Sequence, residues 1–144
     1  MSDNSYDTDI LLWSQKQAEL LRVAARHGIN LPLDWDNIAE EIEDVGRSQL
    51  HAVQSHLVLA LLHDLKAEAW PLSHDVDHWR AEARTHRAAA RRRYTPSMRQ
   101  HIDMAALYRD AREGLPDTMY GTPPLPVPAD CPVTLDEMLT KGAR

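Results

Sequence analysis

Several short constellations in this chain carry side chains able to do chemistry. His74, Asp75, His78, Glu82 and His86 recur at close to helical spacing. Nitrogen and carboxylate donors four residues apart share one helix face and can reach one ion, as paired helical histidines do for zinc. His86 lies about three turns beyond His74, so the whole set cannot meet at one ion. The ligand candidates there are His74, His78 and Glu82, and a solvated polar face is the simpler reading. His56 and His63 are seven residues apart, roughly 20° around a helix and about 10 Å along it. Alone they cannot share an ion. The simpler reading is two hydrogen-bonded histidines at the edge of a core; the functional one is a pocket of Glu41, His56 and His63, completed by a further helix.

Arg84, Arg87, Arg91, Arg92 and Arg93 form a basic face, extended by Arg99 and with Tyr94 among them. Guanidinium forks grip phosphate and an aromatic ring can stack on a base. The favoured reading is instead a docking surface for acidic groups, because the chain carries a net charge of -6 and no nucleic-acid motif. Cys131 has no nearby base and is flanked by Asp130, which disfavours a thiolate. A Gly-rich phosphate loop, a Gly-x-Ser-x-Gly elbow and a Cys-x-x-Cys pair are all absent. No cofactor is expected.

The elements that must position these residues are helices. The stretch "LDWDNIAEEIEDVGRS" packs six acids between Asp34 and Asp44. Asp34 reads as an N-cap, Asp36 sits in the positive end of the dipole, and Leu33 can staple Ile38. Glu43 stands four residues before Arg47 in the favourable order for an ion pair, with Glu40 and Asp44 on the same solvated face. Glu41 falls beside Val45, next to an apolar stripe that runs through Ile38 and Val45. No proline intervenes before Pro71, so one helix is expected from about Trp35 to Ala69, with Gly46 as a point of close contact or a kink. A preceding helix is expected to be capped by Thr8 with Asp9 in its first turn, to turn Ile10, Trp13, Gln17, Leu20 or Leu21, and Ala24 inward, and to end at Gly28. A third places Val76, Trp79, Ala83 and Ala90 inward and Arg80, Arg84, Arg87 and Arg91 outward. A fourth is expected to start at Thr95 and Pro96 and run to about Glu113, with Met98, Ile102, Ala105 and Ala106 inward. Six prolines between residues 116 and 132 impose an extended strap or tail, and Thr134 with Glu137 forms a capping box for a short last helix.

The 144 residues, 43% hydrophobic and without phenylalanine, fit a single domain. Fold class is therefore all-α: a bundle of four main helices plus a short C-terminal helix after a Pro-rich segment at about 115–133. One cysteine precludes an internal disulfide. The longest apolar run, "LVLALL", is far short of the roughly 20 residues that cross a bilayer. No leader pattern opens the chain, so a soluble cytoplasmic protein is expected. Charge is segregated: residues 1–78 carry 5 basic and 14 acidic groups, residues 79–113 carry 9 and 4.

The pieces "YDTDILLW", "LDWDNIAEEIEDVGRS", "LLHDLK", the helix led by Trp79 and "CPVTLDEML" together resemble a bacterial family, domain of unknown function family twenty-nine. The resemblance implies an all-helical fold and supplies no catalytic residues. It places no histidines at the 74–86 set, whereas His63 falls inside "LLHDLK". The reading that ranks first is a non-enzymatic interaction module that self-associates or meets a protein partner. A metal-assisted enzyme with a helix-bundle pocket and a nucleic-acid binder through the Arg-rich helix follow it. Neither nucleic acid nor membrane is the expected partner.

Overall fold

The computed structural model describes residues 4–140. Its helices are α1 (Ser5–Thr8), α2 (Ile10–Arg26), α3 (Trp35–Ala69), α4 (Val76–Arg93), α5 (Met104–Glu113) and α6 (Leu135–Leu139), with a 3-10 segment at Pro96–His101. Among the described residues there is no strand, only an isolated bridge between Met119 and Thr122. The expected all-α class is what the structure shows. The helix through Gly46 is unbroken over its 35 residues. No helix is long and apolar enough to cross a membrane.

The chain forms two compact units, one of residues 1–52 with 94–101, the other of residues 53–93 with 102–144. In the first, α2 starts one residue later than expected, because Asp9 rather than Thr8 is its cap and accepts from the Leu12 amide. The Asp9 carboxylate also accepts from the Thr95 hydroxyl at 2.8 Å and from the Ser97 hydroxyl and amide at 2.6 and 2.9 Å. Burial pushes its pKa up, but the hydrogen bonds from Ser97, Leu12 and Thr95 outweigh this and hold it below the usual 3.8. Thr95 is thus committed to Asp9 and does not cap a helix. The residues after it wind as a 3-10 turn, and α5 begins only at Met104, capped by Asp103. The later start turns Leu107, Tyr108 and Ala111 inward and leaves Ala105 exposed.

The buried face of α2 is Leu11, Ser14 and Ala18, one position on from the expected stripe. Within this unit the buried positions of α3 are Ala39, Gly46 and Leu50, while Val45 is exposed. Gly46 explains the shift. A β-carbon there would lie 2.0 Å from Ser14 Oγ and 3.0 Å from Leu11 Cα, so the two helix backbones meet where no side chain fits. Three acids of α3, Glu40, Glu43 and Asp44, are paired locally. Arg22 holds Glu43 at 2.6 Å and Glu40 at 3.5 Å, and Arg47 holds Glu40, Glu43 and Asp44.

In the second unit α3 and α4 are joined by a tight turn. Ala67, Ala69, Trp70 and Trp79 form a core cluster, against which Val76, Leu115, Met119 and Val127 pack. The Pro-rich segment is a strap. The Trp70 indole donates to Thr122 O at 2.8 Å, the Leu125 amide to Ala69 O at 2.9 Å, and the Tyr108 hydroxyl to Pro128 O at 2.6 Å. Tyr120 and Gly121, at φ 52° and 78°, make the two-residue turn that lets Met119 and Thr122 exchange hydrogen bonds. The capping box of Thr134 and Glu137 forms as expected and starts α6.

Candidate metal centre

Residues 56 and 63 of α3 lie two turns apart on one strip, and residues 82 and 86 of α4 lie one turn apart on another. The turn between Ala69 and Val76 folds these helices back on each other, and the strips meet. His63, Glu82 and His86 each offer a ligand atom within 4.8 Å of the others, the one such three-residue set among the described residues. The His63 and His86 rings are parallel within 5°, centroids 5.8 Å apart. His86 Nε2 lies 3.8 Å from Glu82 Oε2. All three side chains are partly buried.

His56 touches the set from outside. Its Nδ1 is 3.0 Å from His86 Nδ1. Two imidazole nitrogens at that distance need one proton between them, so one ring donates and the other accepts. With His86 as donor, its Nε2 keeps a lone pair on the side of Glu82. A ligating histidine oriented through its other ring nitrogen has this arrangement. Burial lowers the pKa of His56, helped by His86, Arg93 and Arg92. It lowers that of His63 too, with Lys66 and His86 adding and Glu82 opposing. Both effects favour neutral imidazole, the form that binds metal. His63 Nδ1 is sealed from solvent and has no hydrogen-bond partner. A buried polar atom left in that state is destabilising unless something occupies it.

The structure redistributes the candidate residues. Of the pocket Glu41, His56 and His63, the two histidines converge through His86, whereas Glu41 is exposed on α3 and belongs to no metal-compatible set. Of His74, His78 and Glu82, only Glu82 joins. His78 is exposed, and His74 lies against the Tyr120 ring and 3.5 Å from Asp75. The basic face is not uniform. Arg87, expected outward, is 6% exposed and bonds Asp64 at 2.6 Å, while Arg84, Arg92 and Arg93 are exposed and Arg91 is half-buried. His86 was visible in the sequence as part of the α4 set. Glu82 was visible with it and His56 and His63 as a separate pair, but their convergence was not, because it joins two helices.

A family model described as a domain of unknown function, DUF29, matches residues 5–142. The chain belongs to the DUF29 family. A crystal structure of an alpha-helical protein of unknown function from Rhodospirillum rubrum is 28% identical to this DUF29 chain, with a TM-score of 0.87, covering 99% of this chain and 94% of that one. No curated protein matches the chain. The family model shows the family and the solved structure the all-helical fold, and the function rests on the site itself.

Proposed function

We propose that this DUF29 chain binds a divalent transition-metal ion, zinc or a close neighbour, through His63, Glu82 and His86. The convergence of two imidazoles and one carboxylate from two helices carries the reading. Imidazole with carboxylate suits borderline ions over magnesium or calcium, which prefer oxygen throughout. His56 serves as the outer partner that orients His86. Three protein ligands leave a tetrahedral ion one open position, as in catalytic zinc sites, where bound water ionises near neutral pH. Metal-assisted hydrolysis is the chemistry such a centre supplies.

Untagged protein stripped with chelator and titrated with zinc or cobalt tests this. One ion per chain, a tetrahedral cobalt spectrum, and loss of both in Glu82→Gln and His63→Ala are expected. Absence of stoichiometric uptake, or uptake indifferent to both substitutions, refutes it.

A second reading, self-association, is supported by a separate observation. Leu72 is 99% exposed and stands with exposed Tyr120 and Leu125 around a cleft of about 370 Å³. Sedimentation of wild type beside Leu72→Asp decides it: a dimer that dissociates supports the reading, and a monomer in both rejects it.

A further inference from the structure

A second cavity, of about 340 Å³, lies among α3, α4, Tyr108 of α5 and the segment 132–140. Its charged floor is unusual. Asp64 accepts from Arg80 Nη1 through Oδ1 at 2.9 Å and from Arg87 Nη1 through Oδ2 at 2.6 Å. Two guanidinium charges therefore meet one carboxylate, and the inner one, Arg87, is 6% exposed. Asp64 thus serves two guanidinium groups at once, and the N–H donors it does not reach suit an anion in the cavity.

Arg87 has five N–H donors, and its hydrogen bond to Asp64 uses one nitrogen. Arg87 and Arg80 both line the cavity. Above this floor the walls are apolar, with Leu61, Leu65, Val133, Met138 and the Tyr108 ring. Glu68 and Glu137 stand exposed at the edge, and Glu137 is held in its capping box by the Thr134 amide. Their charges oppose a dianion more strongly than a monoanion.

We infer that this cavity is a binding site for a small organic monocarboxylate with an apolar body, its carboxylate on the unspent donors of Arg87 and Arg80 and its body against Val133, Met138 and Tyr108. The volume sits at the lower end of the roughly 300–1,000 Å³ of ligand pockets, and apolar walls with few convergent polar groups are their usual make-up. The inference is independent of the metal reading: it uses neither the histidines nor Glu82.

Calorimetric titration with 3-phenylpropionate, its neutral amide and phenyl phosphate tests it. The carboxylate is expected to bind at least about tenfold tighter than the amide, the value of one good charged hydrogen bond. It is also expected to bind more tightly than the phosphate dianion. Arg80→Gln keeps the Arg87–Asp64 pair and removes one guanidinium from the floor, and is expected to weaken the carboxylate about tenfold while leaving the amide unchanged. Met138→Trp fills the cavity, keeps Asp64, Arg80 and Arg87, and is expected to abolish binding. Circular dichroism of both variants confirms that they fold. Equal binding of acid and amide, tighter binding of the phosphate, failure of wild type to bind the carboxylate, or binding unmoved by either variant overturns the inference.

Discussion

His56 shows how much one side chain can matter without touching an ion. Its Nδ1 contact with His86 fixes which nitrogen of His86 is offered, so His56→Ala should weaken zinc binding about 10- to 100-fold, the usual effect of losing an outer partner, while one ion per chain remains at saturation. Competition with a chromophoric chelator measures it. A loss of stoichiometry would instead make His56 a ligand. Asp9 plays the corresponding part in the first unit, gathering hydrogen bonds from Leu12, Thr95 and Ser97. Asp9→Asn places an amide donor among donors and should destabilise by about 1 to 3 kcal/mol at neutral pH. Because the folded pKa is lowered, this stability is present above the unfolded value of 3.8 and is lost as pH falls through the folded value. Urea midpoints of wild type and variant should therefore lie apart at pH 7 and converge in acid below the normal carboxylate range. Asp9 was legible as an acid near a helix start, but its tie to Ser97, 88 residues on, was not.

At the scale of elements, the contact of α2 with α3 hangs on Gly46. Alanine would ordinarily strengthen an interior helix position by about 1 kcal/mol. Here its β-carbon would meet Ser14 Oγ and the Leu11 backbone, so Gly46→Ala should instead cost about 1 to 3 kcal/mol. Ser14→Gly in the same chain should restore only part of it, since Leu11 Cα stays 3.0 Å from the added carbon. Full rescue would show that the hydroxyl alone sets the approach. The existence of α3 was readable from caps and the lack of proline. Its inward face was not, because an apolar stripe drawn through Ile38 and Val45 looks better in sequence than one through Ala39 and Gly46. Small residues face inward where a partner backbone comes close, and that partner is invisible in a single helix. The fourth helix failed for a similar reason: Thr95 and Pro96 look like a start, yet Asp9 captures Thr95 and Ser97.

Across the whole molecule, charge is settled within neighbourhoods. Arg22 and Arg47 pair with Glu40, Glu43 and Asp44 of early α3, and Arg80 and Arg87 share Asp64. The pairs of Arg80 and Arg87 with Asp64 join the basic segment 79–113 to the acidic segment 1–78, whereas Arg22 and Arg47 find their partners within the acidic segment. Metal binding should be felt globally, since an ion held only by the folded chain adds about 2.7 kcal/mol at a hundredfold excess over its Kd. Saturating zinc should thus raise the melting temperature of wild type by several degrees, at about 2 to 4 °C per kcal/mol for a chain near this size, and leave Glu82→Gln unmoved. Calorimetric scans with and without zinc check this. Equal shifts in both proteins would mean the ion binds elsewhere.

The bond from the Trp70 indole to Thr122 has an optical consequence. Trp70 and Trp79 are each 5% exposed, whereas Trp13 and Trp35 are half-buried. Replacing Trp13, Trp35 and Trp79 by phenylalanine would leave one fluorophore bonded to the strap itself. Its emission would be blue while the strap is docked and would move to the red when water replaces the Thr122 carbonyl. The position of the strap would then be read as a colour.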